Sequence, residues 1–516
     1  MTLRVDRVQG DPYAAPSRVT VVVPTALGAF TASRAARVAA CDFLLRRFAE
    51  GLPRGLSVLL PGPEITERSA VVLHTSGDVE VRLRVALPAR GRRVRGREAE
   101  GLLCRDLVAV AERMAVDPDD PALRAHVASV VRQRALRAQL SDRGLVAFVG
   151  DGSVLPRASG VDPAPLRGAV PFVSPQALRV TLEAPGGPVV GMGVPQGVVL
   201  ICGGGFHGKS TVLQALQGGH LDRVPGDGRE VVVSHPDTVK IRAEDGRWVR
   251  DIDISAFLSD LPGGRETTAF HTADASGSTS QAASLVEAIE AGARVVLLDE
   301  DTSATNLLVR DQRMRALVPR EREPITPLVE RVRQLASAGV STVMVVGGVG
   351  DWLAVADVVL VMADFEASEE TARAREVAGP TPEAPGPWVP PTPRAVAPGE
   401  APFKIRARDA RAVRFGDAEI DLTGVEHVRD GPHAQSLGQA VRFIHANLAD
   451  GVRTVAQVLD ALDAILDDEG ADALSPYEAP PGDLVRPRRH EVAAALHRLR
   501  PADQSSSSSS RKAHRN

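Results

Sequence analysis

Gly203-Gly204-Gly205-Phe206-His207-Gly208-Lys209-Ser210 decides how the rest of this chain is read. The octapeptide fits G-x-x-x-x-G-K-[ST], a loop that cradles phosphate. It follows an apolar run, Gly197-Val198-Val199-Leu200-Ile201-Cys202, and precedes a helix-like stretch, Thr211-Val212-Leu213-Gln214-Ala215-Leu216. Strand, loop and helix in that order are the context the motif requires. The glycines let backbone N–H groups turn inward onto phosphate oxygens. Lys209 brings a point charge toward the β- and γ-phosphates, and the Ser210 hydroxyl is placed to ligate Mg2+. Gly203 through Ser210, with Thr211, form the expected nucleotide-binding set. The bland alternative is a glycine-rich turn that matches by chance, and the flanking patterns count against it.

The remaining composition sets bounds. A chain of 516 residues should hold roughly three domains. Its 61 basic and 65 acidic side chains leave a net charge of −4, so a nucleic-acid or membrane partner would need a local basic patch. Aromatic residues make up only 3%, which argues against recognition built mainly on stacked rings. Cys41, Cys104 and Cys202 are far apart and lack metal-ligand spacing, so a reducing, cytoplasmic setting is expected. The longest uncharged run, 184–208, is broken by prolines and glycines and contains the P-loop, so no membrane span is expected.

Residues 1–158 mix strand-like and helix-like pieces and read as an α/β N-terminal domain. Within them Val79-Glu80-Val81-Arg82-Leu83-Arg84-Val85 alternates apolar and charged residues, the pattern of a strand with one solvated face. Arg90, Arg92, Arg93, Arg95 and Arg97 crowd one short segment. With Arg82 and Arg84 they either contact phosphates or form a solvated loop. Residues 159–366 alternate helices with continuous apolar strands, as a buried parallel sheet requires. The proline-dense stretch 367–400 reads as a linker. A smaller α+β domain is expected over 401–502, where Lys404, Arg406 and Arg408 share one strand face. The serine-rich tail 503–516 is expected to be disordered.

Two further places complete the nucleotide site. Asp299-Glu300 ends the apolar strand Val295-Val296-Leu297-Leu298. Asp299 is placed to hold Mg2+ and Glu300 to orient or deprotonate the attacking water. Asp274-Ala275-Ser276-Gly277-Ser278-Thr279-Ser280-Gln281 opens a helix, either as an anion site or as an ordinary serine/threonine cap.

Ser276-Gly277 resembles the start of the signature motif of ABC ATPases, and so do its distance to Asp299-Glu300 and the following Asp301-Thr302-Ser303-Ala304. More narrowly, 203–211, 238–246, 275–282 and 299–306 together resemble the bacterial "predicted ATPase of the ABC class" family. Matching stretches also occur in the first 30 residues and in 403–500. The family is similar to a kinetoplastid mitochondrial RNA-binding ABC ATPase. The resemblance implies an α/β fold: an ABC-type P-loop NTPase core flanked by an α/β N-terminal domain and a smaller α+β C-terminal domain. It implies ATP and Mg2+ as ligands, and a homodimer in which Ser276, Gly277 and Ser278 of one subunit close over ATP held by the other. By analogy it implies an RNA-associated homodimer; separately, the basic residues Arg90–Arg97 and Lys404, Arg406 and Arg408 point to RNA or DNA as a partner. A transporter subunit would need a separate membrane partner, and no coupling loop for one is evident.

The chain departs from that pattern in three places. Gly347-Gly348-Val349-Gly350-Asp351 stands where the switch histidine is expected, so hydrolysis is either slow or differently assisted, and a nucleotide-gated module with negligible turnover is the alternative reading. The Q-loop glutamine is not evident before Ser276, and Asn306 replaces the aspartate of the D-loop. His207 is expected to face solvent rather than phosphate. Phe172 is the sole ring between 172 and 202, and so the sequence's candidate for an adenine platform.

Overall fold

The structure, a computed structural model, describes residues 1–500 except 262, 320, 321 and 383–385; the tail 503–516 lies outside the described residues. The continuous apolar strands of the middle region assemble into one sheet. Its order is Thr238–Lys240, Val295–Asp299, Ser341–Val345, Val198–Gly203, Val358–Ala363 and Glu366–Glu369; the first five are parallel and the last antiparallel. Alternation along each strand splits its side chains between two cores. Val198, Leu200, Val296, Leu298 and Met344 face one core, with Phe257 and Trp352. Val199, Ile201, Val295, Leu297, Val343 and Val345 face the other, with the helix Lys209–Gly218. Burial on both faces explains why these strands read as uninterrupted hydrophobic runs.

A second, antiparallel sheet lies beyond that helix, in the order Arg179–Leu182, Val189–Pro195, Leu145–Gly150 and Val232–Ser234. Leu145–Gly150 was expected within the N-terminal domain. It pairs instead with strands of the middle region, and all six of its residues are buried.

The N-terminal sheet runs Thr2–Arg7, Ser17–Val23, Val79–Val85 and Leu56–Ser57, with Val71–Leu73 also on Val79–Val85, and the helix Arg34–Ala49 belongs to its core. The face of Val79–Val85 expected to be solvated is solvated only in part. Arg82 is buried, donating to Asp472 of the C-terminal region at 2.6 Å and to Glu80 at 2.7 Å. Docking of the C-terminal region covers Arg82, which is therefore unavailable to phosphate, whereas Arg84 stays exposed and pairs with Asp483.

The stretch 367–400, expected as a linker, begins as structure. Glu366–Glu369 completes the central sheet and the helix Thr371–Val377 follows. Its far end is also tied down: Arg394 donates to Glu290 at 2.6 Å and Val396 is buried. The C-terminal sheet Ile405–Ala407, Ala412–Phe415, Ala418–Asp421 and Leu499–Arg500 packs on the helices Gly431–Phe443, Val455–Glu469 and Arg489–His497. Among the described residues no helix is long and apolar enough to cross a membrane.

Candidate nucleotide site

The P-loop leaves the central sheet between its strand and the helix Lys209–Gly218. Gly203 (φ +134°) and Gly208 (φ +96°) adopt conformations that L side chains avoid, and a Cβ on Gly203 would collide with the Met362 carbonyl. Lys209 Nζ donates to the carbonyls of Gly203 and Gly204 at 2.8 and 2.6 Å. Ser210 is exposed at the first turn of the helix.

Asp299 is buried where its strand ends, and Oδ1 accepts from the Asp301 N–H at 3.2 Å. Ser210 and Asp299 offer hard oxygen donors, the chemistry that Mg2+ prefers, so the residues fit that ion. The Glu300 carboxylate is held by backbone: Oε2 accepts from the N–H groups of Gly347 and Gly348 at 2.6 and 3.0 Å. These two glycines stand where the sequence lacks its histidine. They line, with Gly203 and Gly204, a cleft of about 650 Å³. Cys202 also lines it, and burial raises its thiol pKa.

Ser276 precedes the helix Gly277–Glu290, but its hydroxyl caps no N–H; it pairs with the hydroxyls of Thr279 at 3.0 Å and Ser278 at 3.3 Å. Gln281 joins this helix to the loop after Glu300, donating to Ser303 Oγ at 2.9 Å and accepting from the Ala304 N–H at 2.8 Å. The segment 243–247 ties in as well. The Ala243 N–H donates to the Thr302 carbonyl at 2.9 Å, and the Glu244 N–H to Ser280 Oγ at 2.9 Å. Glu244 is in turn bonded to Arg498 of the C-terminal region. Burial alone would raise the Glu244 carboxyl, but the guanidinium groups of Arg498 and Arg247 hold it below its usual range. Glu287, buried against Arg247, is likewise held at about 2 despite the opposing effect of burial. In one chain, then, Gly203 and Gly204 of the P-loop line one cleft with Gly347 and Gly348, the two residues that hold Glu300. Ser276 makes no hydrogen bond to residues 203–211.

Phe172 is 3% exposed, packed in the core beside the P-loop helix, and cannot stack on a base. Another ring stands at the loop. Phe365 lies in the turn between the last two strands of the central sheet, 56% exposed, with Cδ1 3.4 Å from where a Gly208 Cβ would stand. His207, expected to face solvent, is half-buried and accepts the Asp364 N–H at 2.8 Å, fastening that turn to the P-loop. Asp364 and Phe365 are both left-handed, at φ +49° and +69°, a strain on the order of 1–2 kcal/mol per residue. Phe206, at φ +66°, is fully exposed at the loop tip.

The arginine cluster forms the hairpin Ala89–Arg90 and Arg93–Val94 and its flanks. Arg90, Arg92, Arg93, Arg95 and Arg97 are all exposed; Arg92 pairs with Asp11 and Arg95 with Glu98. Lys404, Arg406 and Arg408 are exposed too, Arg408 with Glu419. Arg406 lies directly opposite Arg414 across two strands, and Arg414 in turn faces Glu419 and pairs with Asp417, so the like charges are partly offset. The cluster of His220, His427 and Glu491 suits a cation poorly. His427 Nε2 already accepts the Lys240 N–H at 2.8 Å, Glu491 is paired with Arg488, and Arg429 and Arg488 add positive charge.

Three family models match successive stretches of the chain. The P-loop domain of the ABC ATPase family matches residues 119–386, the N-terminal domain of ATPases of the ABC class matches 1–117, and the MRB1590 C-terminal domain matches 404–504. The chain is 32% identical over 218 residues to the uncharacterized protein MJ1628 of Methanocaldococcus jannaschii, a match covering 40% of this chain and 47% of that relative, less than half its length. Among solved structures, MJ1267, an ATP-binding cassette of an ABC transporter in its ADP conformation, is 11% identical, with 45% of this chain and 94% of that chain covered and a TM-score of 0.27. The match to the P-loop domain spans more than half of the chain, which therefore belongs to the ABC-class P-loop ATPase family, a membership that supports ATP binding.

Proposed function

We propose that the chain is an ABC-class ATPase that binds and hydrolyses MgATP at composite sites of a homodimer and couples closure to a nucleic acid, RNA or DNA. The observation that carries the reading is that Gly203 and Gly204, whose carbonyls hold Lys209, line one cleft with Gly347 and Gly348, whose N–H groups hold Glu300; the match to the P-loop domain supports it. Backbone N–H groups of 203–208 and Lys209 would hold the phosphates, with Thr211 beside them. Ser210 and Asp299 would hold Mg2+, which when bound neutralises charge developing on the phosphate oxygens. Phe365 would stack on the base. Glu300 would take a proton from water as the water oxygen bonds to the γ-phosphorus. The bond from that phosphorus to the bridging oxygen breaks, giving ADP and phosphate. Ser276, Gly277 and Ser278 would cap the γ-phosphate from the partner subunit, leaving Asn306 as an uncharged donor nearby.

Arg90, Arg93 and Arg97, exposed with no ion pair among the described residues, and the Arg406–Arg414 pair support the polyanion. Arg92, Arg95, Lys404 and Arg408 would add to it. The three cysteines are unpaired, which suits a reducing compartment such as the cytoplasm. One observation favours a second reading, a nucleotide-gated module with negligible turnover: no side chain stands at Gly347 or Gly348 to touch the γ-phosphate. ATP turnover separates the two. On the first reading Glu300→Gln abolishes turnover and retains ATP. A wild type that binds ATP but turns over no faster than Glu300→Gln supports the second.

A further inference from the structure

The Gly347-Gly348 loop carries more than an absence. Both of its N–H groups point at one oxygen of Glu300, at 2.6 and 3.0 Å. Successive backbone N–H groups converging on one point form an anion cradle, and here the anion is a carboxylate. The cradle sits on the wall of the cleft that Gly203 and Gly204 also line, and the carbonyls of those two residues hold Lys209. Backbone conformation does not demand glycine here, because neither residue has a positive φ. Packing does not demand it either: a Cβ on Gly347 would stand 3.7 Å from Glu300 Oε2, and one on Gly348 3.5 Å from Oε1, both ordinary contacts. What the loop supplies is its pair of N–H groups.

We infer that this backbone pair does the work of the missing switch side chain: it holds Glu300 in the nucleotide-free protein and passes to the γ-phosphate when ATP enters. The inference rests on the proposal that Gly203–Ser210 holds ATP. A γ-phosphate carries more charge than a carboxylate, and the two repel, so they do not share the cradle. Arrival of ATP displaces Glu300, and the carboxylate is then free to hold water. ADP has no γ-phosphate and leaves Glu300 where it is. The loop is therefore a positioning device that distinguishes ATP from ADP.

Proline at 347 removes one N–H, whereas alanine keeps it, so Gly347→Pro is measured against Gly347→Ala. The expected result is a loss of about tenfold in the preference for ATP over ADP in direct binding, the scale of one hydrogen bond to a charged group, together with a lower kcat. Equal ATP-to-ADP preference in the two variants overturns the inference. If Gly347→Pro does not fold, amide exchange over 345–350 in Glu300→Ala decides. Exchange should rise about tenfold without nucleotide and fall again with a non-hydrolysable ATP analogue but not with ADP; the same response to both nucleotides overturns the inference. Failure of the underlying reading looks different, because Lys209→Ala would then bind ATP as the wild type does.

Discussion

Replacing Phe365 by alanine should weaken ATP binding without weakening the grip on phosphate. Phe365 stands beside Gly208 and is half-exposed, so ring surface remains open to a base. Stacking of a base on an aromatic side chain is worth about 1–3 kcal/mol. With the ring only partly exposed, the lower part of that range applies, about 1–2 kcal/mol, or roughly a 5- to 30-fold rise in Kd. The assay is competition with a fluorescent ATP analogue, run in parallel with inorganic tripolyphosphate, which has the phosphates and no base. Tripolyphosphate affinity should stay within about twofold, well under the 1.4 kcal/mol that a tenfold change represents. Phe365→Gly is the control for the turn itself, because glycine relieves the left-handed strain at φ +69°. It should weaken ATP as alanine does while raising thermal stability. Unchanged ATP affinity in both variants, or an equal loss for tripolyphosphate, would refute the stacking argument.

Acid should loosen the contact between the central and C-terminal regions. Burial, reinforced by Arg488 and Arg394 respectively, pushes His427 and His497 down to about 3. Unfolded histidine titrates near 6.5, so below about that pH the unfolded chain binds more protons and stability falls, by up to about 1.4 kcal/mol per pH unit for each histidine. Glu287 and Glu491, held at about 2, lose their stabilising effect only from about 4.5 downward and do not act in the upper window. The unfolding midpoint should drop between pH 6.5 and 5, and a flat midpoint there would show that these histidines are not buried neutral. Neutralising Arg90, Arg93 and Arg97 should flatten the salt dependence of single-stranded RNA binding by roughly 2 in log–log slope, at about 0.7 for each phosphate that an arginine no longer neutralises. An unchanged slope removes this hairpin from the nucleic-acid surface.

The parts of the site legible in the sequence are those whose chemistry is local. Gly203–Ser210 and Asp299-Glu300 declare themselves because a buried strand, a tight turn and a helix leave adjacent marks. Contacts made by folding leave none. Glu80 and Arg82 look like a wet strand face, and only the docked C-terminal region makes them an interior ion pair with Asp472. Phe365 follows the Asp364 that His207 fastens from 157 residues away, so no spacing rule connects it to the P-loop, whereas nearby Phe172 is swallowed by the core. The Gly347-Gly348 cradle escapes for another reason: it acts through backbone N–H groups, which every residue but proline possesses, so the sequence shows there only a missing histidine.

The central claim is that each ATP site is built from two subunits, and mixing two inactive variants tests it most directly. Lys209→Ala disables the P-loop and keeps Ser276; Ser276→Arg, at an exposed position, blocks the capping residue and keeps the P-loop. Each homodimer alone should be inactive. Random mixing of equal amounts makes half of the dimers mixed, each with one intact site of two, so turnover should return to roughly a quarter of the wild-type value. Recovery to that level is the result expected of composite sites. An inactive mixture in which subunit exchange has been verified, or a Ser276→Arg homodimer with full activity, would contradict them.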